Sequence, residues 1–311
     1  MANITAAMVK ELREMTGAGM MDCKKALTQT DGNMDEAVEY LRKNGQAKAE
    51  KKAGRIAAEG VCRVITKDNK TAAVVEVNSE TDFVAKNEKF QTYVEAVAEQ
   101  VLASNAADVD AFMDEPWNAD ASKSVKDVLV EQIAVIGENL KIRRFEKLSA
   151  ENGMTVTYLH GGGRIGVIVA ADTDVCSDAV KEALTNIAMQ VAALSPKYVS
   201  KDEIPADYIE HEKEILKEQI KNDPKESQKP EKVIEGMING RINKELKEIC
   251  LVDQVYVKAE DGKQTVAQYL AQVAKDNGAS ISLTKFVRFE TGEGLEKKNE
   301  DFAAEVAAQM K

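Results

Sequence analysis

The chain has 311 residues, and its length, composition and charge exclude several classes of protein. At about 150 residues per domain the length indicates two or three modules, and a chain of this size can bury a core without disulfides or metals. The net charge of −11 disfavours nonspecific binding to nucleic acid or to membrane surfaces. No apolar run approaches the roughly 20 residues of a membrane-spanning helix, and the N-terminus does not resemble a secretory signal. We therefore expect a cytoplasmic protein.

The cysteines and histidines give no sign of a metal site or of a catalytic group. No CxxC pattern occurs, and the thiols and imidazoles are scattered at Cys23, Cys62, Cys176, Cys250, His160 and His211. Isolated thiols are typical of a reducing compartment. We therefore expect no metal site and no catalytic residue among them, and no pattern argues positively for an enzyme.

Residues 1 to 55 have the periodicity of a small helical bundle. Apolar residues recur at a spacing of four in the first of three short helices, and the third is expected to begin after Asn33 and to close at Asn44-Gly45. The stretch from 42 to 55 then predicts a helical linker with six basic residues, namely Arg42, Lys43, Lys48, Lys51, Lys52 and Arg55. This basic face is either a solvated surface or a site for RNA.

Two stretches of the chain predict the same unit, a β-hairpin followed by a helix. The first unit covers strands near 61–66 and 72–77 and a helix from Phe90 to Val101; the second covers strands near 154–159 and 166–171 and a helix from Val180 to Leu194. The two helices align without gaps, with Gln100 opposite Gln190. This indicates an internal duplication, and a chance match of two amphipathic helices is the alternative.

Residues 201 to 249 interrupt the second unit and predict a helical hairpin. Two apolar stripes at helical spacing are separated by a segment from Pro224 to Pro230 that must break the helix. The pattern is typical of an antiparallel coiled-coil hairpin that projects from the body. A β-rich run over 254–258, a helix from Thr265, a strand over 281–289 and a short helix with Phe302, Val306 and Met310 follow.

The segment Gly161-Gly162-Gly163-Arg164-Ile165-Gly166 matches the GxGxxG pattern of dinucleotide sites. In such a site the glycines open a helix whose N-terminus faces the pyrophosphate. Here the apolar run that begins at Gly166 is typical of a strand. We therefore predict a hairpin turn and no bound cofactor, and a nicotinamide or flavin enzyme is a rival hypothesis.

The segment Thr81-Asp82-Phe83-Val84 lies between a predicted strand and a predicted helix. A bulky apolar residue beside an acid in such a loop has two interpretations. Phe83 is either a staple that packs inward at the helix entry or an anchor for another protein. The residues alone leave both open.

Five segments together make the chain resemble the bacterial elongation factor Ts family. They are VKELREMTGAGMMDCKKAL at 9–27, EVNSETDFVAKN at 76–87, IGENLKIRR at 136–144, HGGGRIGV at 160–167 and RFETGEGLEKKNEDFAAEVAAQM at 288–310. The resemblance implies a guanine nucleotide exchange factor that binds elongation factor Tu, both GDP-bound and nucleotide-free. It implies no cofactor, no membrane and no direct contact with nucleic acid. An RNA-binding translation accessory protein is the alternative function.

The resemblance also implies an α+β fold with a defined order of modules. These are an N-terminal three-helix ubiquitin-associated-like bundle with its linker (1–55), a core of two related hairpin-plus-helix subdomains with antiparallel sheets (56–145, and 146–200 with 250–290), a protruding antiparallel coiled-coil hairpin (201–249) and a C-terminal helical module (291–311). A homodimer or a 2:2 complex is as compatible with it as a 1:1 complex.

For the site, the resemblance implies that a loop of four residues enters the G domain of the partner near its magnesium ion. In this sequence the loop is Thr81, Asp82, Phe83 and Val84. Phe83 would act as an apolar wedge, and Asp82 would disturb the polar contacts of the ion that neutralises the diphosphate.

Further contacts with the partner are implied outside this loop, at Arg13, Met20, Met21, His160 and the C-terminal helix. Burial in the core of the N-terminal bundle is the alternative interpretation of the two methionines.

Overall fold

A computed structural model describes residues 3–297 of the chain, which form a mixed α+β protein with antiparallel sheets. The elements follow in chain order: α1 (Ala6–Thr16), α2 (Met20–Gln29), α3 (Met34–Lys52), β1 (Glu59–Lys67), β2 (Thr71–Ser79), α4 (Asp82–Ala85), α5 (Glu88–Ala103), α6 (Val109–Met113), β3 (Pro116–Trp117), β4 (Asp120–Ser124), α7 (Val125–Ile136), β5 (Lys141–Ser149), β6 (Gly153–His160), β7 (Ile165–Thr173), α8 (Asp178–Leu194), α9 (Ala206–Asn222), α10 (Glu231–Ile249), α11 (Val266–Asn277) and β8 (Ile281–Glu290). The predicted helix with Phe302, Val306 and Met310 lies outside the described residues.

The first three helices pack around a small apolar core that includes Leu12, Cys23 and Leu27. The prediction that the third helix closes at Asn44-Gly45 is wrong, because α3 continues to Lys52. Gly45 is buried where α3 crosses α7, and a Cβ atom at this position would lie 3.4 Å from the Cβ of Ala134. The glycine therefore allows two helices to approach closely and does not end one.

Two three-stranded antiparallel sheets form the centre of the protein. The first has the strand order β1-β2-β5 and the second has the order β6-β7-β8. Their inner faces pack together through an apolar layer that contains Cys62, Val74, Ile168 and Phe289. Helix α5 covers the outer face of the first sheet and α8 that of the second, with α7 packed beside α5 and α11 packed beside α8. The middle strands β2 and β7 are consequently buried on both faces.

Helices α9 and α10 form the predicted helical hairpin. Tyr208 near the start of α9 donates to Glu245 near the end of α10 at 2.8 Å, as antiparallel helices require. A core of aliphatic side chains, including Ile220, Ile238 and Ile242, joins the two helices. The prediction of a β-rich run over 254–258 is wrong, because this segment forms only an isolated bridge between Val255 and Thr265. The backbone groups of Val255 and Val257 instead form hydrogen bonds with the side chain of Gln190.

A buried carboxylate links the two sheets. Glu76 on β2 is fully buried and accepts hydrogen bonds from Arg143 at 2.9 Å and from Arg144 at 2.6 Å, both on β5. It also accepts the backbone N–H of Gly292, which follows β8, at 2.8 Å. Burial raises the pKa of Glu76, but the bonds from Gly292, Asn78 and the two arginines lower it by more, so the pKa lies below the usual value.

We predict that Glu76→Gln lowers the free energy of unfolding at pH 7 by about 3 kcal/mol, because two partly buried arginines lose their counter-charge. Since the pKa of Glu76 is depressed by folding, the ionised carboxylate stabilises the protein above the unfolded value of about 4.3. This stabilisation is lost as the pH falls through the folded pKa. Urea unfolding from pH 7 to pH 3 measures both effects.

The exposed Glu99 on α5 provides a control for this substitution, since Glu99→Gln removes a charge that is not buried. Its free energy of unfolding should match the wild type within about 0.5 kcal/mol. If Glu76→Gln behaves in the same way, the buried carboxylate does not hold the sheets together.

Candidate partner-binding surface

The segment between β2 and α5 presents an aromatic side chain to solvent. Thr81 is the N-cap of the short helix α4, and its hydroxyl accepts the N–H of Val84 at 3.3 Å. Val84 packs partly against the core and Ala85 is buried, whereas Phe83 is 81% exposed. The interpretation of Phe83 as an inward-packing staple is therefore wrong.

Asp82 is also exposed, next to Phe83, and forms an ion pair with Lys86 at 2.6 Å. The hydrogen bond from Lys86 holds the pKa of the Asp82 carboxyl below its usual value. At neutral pH this carboxylate is ionised, and it lies beside the aromatic ring on the same turn. An exposed aromatic residue next to an anion can insert into an apolar pocket and compete for a cation at the pocket's edge.

A second carboxylate fixes the backbone that leads into α4. One oxygen of Glu138 accepts the N–H groups of Glu80 and Thr81, both at 3.0 Å, and the other accepts the Thr81 hydroxyl at 2.6 Å. In return, Glu80 accepts the N–H of Asn139 at 2.6 Å. Sequence reasoning missed Glu138, although it lies in the IGENLKIRR segment at 136–144.

The N-terminal bundle presents an apolar patch at the start of α2. Met20 is 60% exposed and Met21 is 73% exposed, so their interpretation as bundle core is wrong. Met15 at the end of α1 is 59% exposed, and sequence reasoning missed it although it lies just before the turn. Arg13 is exposed on the last turn of α1. Methionine side chains are flexible and adapt to irregular apolar surfaces.

A path of contacts connects this methionine patch to the Phe83 turn. Asp22 on α2 forms an ion pair with Lys48 on α3 at 2.9 Å. One turn further along α3, Lys52 donates to the carbonyl of Gly137, which precedes Glu138. The two groups of residues therefore lie on elements that contact one another.

His160 lies at the end of β6 and is not joined to this path. Its ring is exposed, and its Nδ1 atom lies 3.0 Å from the hydroxyl of Tyr158. The structure thus brings most of the predicted site residues onto neighbouring elements but leaves His160 on a separate hairpin.

The glycine motif forms the predicted hairpin turn, and the dinucleotide interpretation is wrong. Gly161, Gly162 and Gly163 connect β6 to β7, and no helix begins there to face a pyrophosphate. The carbonyl of Gly163 accepts the N–H of Cys62 at 2.7 Å, so the turn packs on β1. A Cβ atom on Gly163 would lie 3.0 Å from the Cβ of Val61.

Most of the basic side chains between residues 42 and 55 have partners within the protein. Five of its six basic side chains bond to the chain itself: Arg42 to Asp127, Lys43 to Glu39, Lys48 to Asp22, Lys52 to the Gly137 carbonyl and Arg55 to Glu80. Most of the stretch belongs to α3, so it is helical as predicted. These contacts disfavour an RNA-binding role for this face.

Residues 3–297 contain neither a group of metal-ligating side chains nor a helix that could span a membrane. Within this range no three His, Cys, Asp or Glu side chains are grouped so as to hold a metal ion. None of the helices described there is long and apolar enough to cross a membrane.

The fold and this surface describe an α+β protein with a candidate binding surface for another protein. Residues 80–293 match the family model described as elongation factor TS. The elongation factor Ts of Trichlorobacter lovleyi is 51% identical over 98% of both chains, and that of Clostridioides difficile is 51% identical over 100% of both. The elongation factor Ts of Clostridium novyi is 50% identical over 99% of both. The chain belongs to the elongation factor Ts family, and the resemblance found in the sequence is confirmed.

The glycine turn yields a prediction about stability. Gly163 has φ +105° and no room for a side chain, so Gly163→Ala should lower the free energy of unfolding by about 2 kcal/mol or more. Gly162 has φ +66° with open space around it, so Gly162→Ala should lower the free energy by only about 1 kcal/mol. Urea unfolding of both variants tests this difference, and equal losses would contradict the packing of the turn on β1.

Proposed function

We propose that this protein is the nucleotide exchange factor of elongation factor Tu. It would bind the GDP complex, displace the magnesium ion and promote replacement of GDP by GTP, without making or breaking a covalent bond. The observation that carries the proposal is the exposed Phe83 on an anchored turn. Family membership supports it, and the place of action would be the cytoplasm.

The side chains of the turn suit this task. The magnesium ion neutralises the diphosphate, so a change in its surroundings weakens nucleotide binding. Phe83 would fill an apolar pocket and shift the side chains around it, while the ionised Asp82 would compete for the polar contacts of the ion. By linkage, bound nucleotide must weaken the binding of the exchange factor by the same factor by which the exchange factor weakens the binding of nucleotide, so GDP or GTP can release it.

The other predicted residues would add contacts around this centre. Met20, Met21 and Arg13 would bind the G domain next to the Phe83 turn, which the path of contacts through α3 supports. His160 would reach a different part of the partner, because it lies on a separate hairpin.

We also propose that the core arose by duplication. Gln100 on α5 and Gln190 on α8, which align in the sequence, are both buried. Each side chain donates to one backbone carbonyl and accepts the N–H group two residues later, at 116 and 118 for Gln100 and at 255 and 257 for Gln190. This shared arrangement supports a common origin of the two units.

The same reasoning divides the chain into modules. The proposed boundaries are 1–55 for the ubiquitin-associated-like bundle with its linker, 56–145 and 146–200 with 250–290 for the two core units, 201–249 for the hairpin and 291–311 for the C-terminal module. Residues 298–311 of the last module lie outside the described part of the chain.

We predict that Phe83→Ala reduces the acceleration of GDP release from elongation factor Tu by at least about tenfold, because an anchoring aromatic side chain is lost. Its free energy of unfolding should change by less than about 0.5 kcal/mol, since the ring is exposed. Asp82→Ala should also reduce the acceleration. Stopped-flow release of a fluorescent GDP analogue and urea unfolding measure these effects.

Two matched controls accompany these variants. Val233→Ala removes an exposed apolar side chain from α10, and Lys86→Ala breaks the ion pair of Asp82 while keeping its carboxylate. Both should accelerate release as the wild type does. A wild-type protein that does not accelerate release contradicts the proposed function, whereas full activity of Phe83→Ala contradicts the proposed site.

A further inference from the structure

We propose that Glu138 is a positioning residue that holds the Phe83 turn in the conformation that binds the partner. The inference rests on the proposed function, but it concerns a residue that does not itself extend toward the partner. Glu138 lies between α7 and β5 and is half-buried behind the turn. Its carboxylate contacts both the backbone and the side chain of Thr81, two residues before Phe83.

Glu138 accepts hydrogen bonds from the polar groups at the entry of the turn. At the end of β2 the N–H groups of Glu80 and Thr81 point to one carboxylate oxygen. The Thr81 hydroxyl donates to the other oxygen at 2.6 Å and still accepts the N–H of Val84. The N-cap of α4 is thereby fixed in its rotamer. Hydrogen bonds to an ionised acceptor are about twice as strong as those between neutral groups.

The other end of the turn is anchored as well. Gln91 on α5 donates to the carbonyl of Ala85, the last residue of α4, and Gln91 in turn accepts a hydrogen bond from Arg63 at 2.8 Å. Phe83 therefore lies midway between two anchors. The side chain of Phe83 is exposed on a turn whose backbone is fixed at both ends by hydrogen bonds.

A preformed turn has a direct effect on affinity. When the binding-competent conformation is only partly populated, the apparent affinity falls by that fraction. Ordering a loop on binding also costs conformational entropy. Without the carboxylate, the N–H groups of Glu80 and Thr81 would turn to water and α4 would lose its fixed N-cap. If the competent fraction drops to about a tenth, the apparent affinity falls about tenfold.

The hydrogen bonds of Glu138 predict different effects for two substitutions at this position. In Glu138→Gln the amide oxygen can still accept both backbone N–H groups, and the amide nitrogen can donate to the Thr81 hydroxyl oxygen. In Glu138→Ala none of these bonds can form. The glutamine variant should therefore retain most of the activity that the alanine variant loses.

The test compares the full-length wild type with Glu138→Ala, Glu138→Gln, Phe83→Ala and the double variant Glu138→Ala/Phe83→Ala on GDP-loaded elongation factor Tu. For Glu138→Ala, the concentration that gives half-maximal acceleration of GDP release should rise about tenfold, with little change in the rate at saturation. For Glu138→Gln the rise should stay within about threefold. The control Glu146→Ala removes an exposed carboxylate from β5 and should behave as the wild type.

The double variant separates positioning from a general loss of stability. If Glu138 acts through Phe83, removing Glu138 should cost little once Phe83 is absent, so the two losses should not add. Additive losses, or a Glu138→Ala variant as active as the wild type, would overturn the inference. A wild type without exchange activity would instead reject the proposed function.

A second measurement needs no partner. Hydrogen exchange of the free protein should be faster over residues 80–87 in Glu138→Ala than in the wild type, with the two sheets unchanged. Unchanged exchange over 80–87 would overturn the inference. If Glu138→Ala does not fold, Gln91→Ala, which loosens the other end of the turn, should give the same shift in half-maximal concentration and the same non-additivity with Phe83→Ala. The absence of either effect would equally overturn the inference.

Discussion

The buried carboxylate of Glu76 is the constraint on which the rest of the structure depends. It joins β2 to the two arginines of β5 and to the backbone that follows β8, so one side chain connects both sheets. An ionised group in such a place is tolerated only because each of its oxygens is bonded. Asn78, two residues further along β2, donates both to this carboxylate and to the carbonyl of Glu59 on β1. The end of β2 is thereby fixed on both sides, and the Phe83 turn begins directly after it.

The sequence predicted those elements whose pattern is local. Helices α1, α2, α5 and α8, the two β-hairpins and the strand over 281–289 follow from apolar periodicity and turn residues. Strand β5 was not predicted, because Arg143 and Arg144 interrupt its apolar alternation. Their partners are distant in the sequence: Glu76 lies 67 and 68 residues before them, and Glu293 lies 150 and 149 residues after them. Gly45 was interpreted as a helix end because its actual role is not visible locally. It makes room for α7, which lies some ninety residues further along the chain.

The site shows the same division between local and distant information. The exposed Phe83 and its neighbours could be singled out from their place between a strand and a helix, but their environment could not. Whether Phe83 packs inward or faces solvent depends on what holds the turn from behind. That group is the carboxylate of Glu138, which lies 57 residues from Thr81 in the sequence. Similarly, the charges of the basic stretch leave a solvated surface and an RNA site both open, because partners such as Asp127 for Arg42 lie far away in the sequence.

An exposed aromatic side chain on a fixed turn has a thermodynamic cost that suits an exchange factor. Leaving a phenylalanine in water forgoes about 2 kcal/mol that burial would supply, and this free energy is available when a partner covers the ring. Since the turn is already ordered, little of it is spent on fixing the backbone. Under the proposed function, returning nucleotide would weaken the binding of the exchange factor by the same factor by which the exchange factor weakens the binding of nucleotide. Under the proposed function, Phe83 with its ionised neighbour Asp82, held from behind by the carboxylate of Glu138, would supply a directed part of the binding energy beside the other proposed contacts.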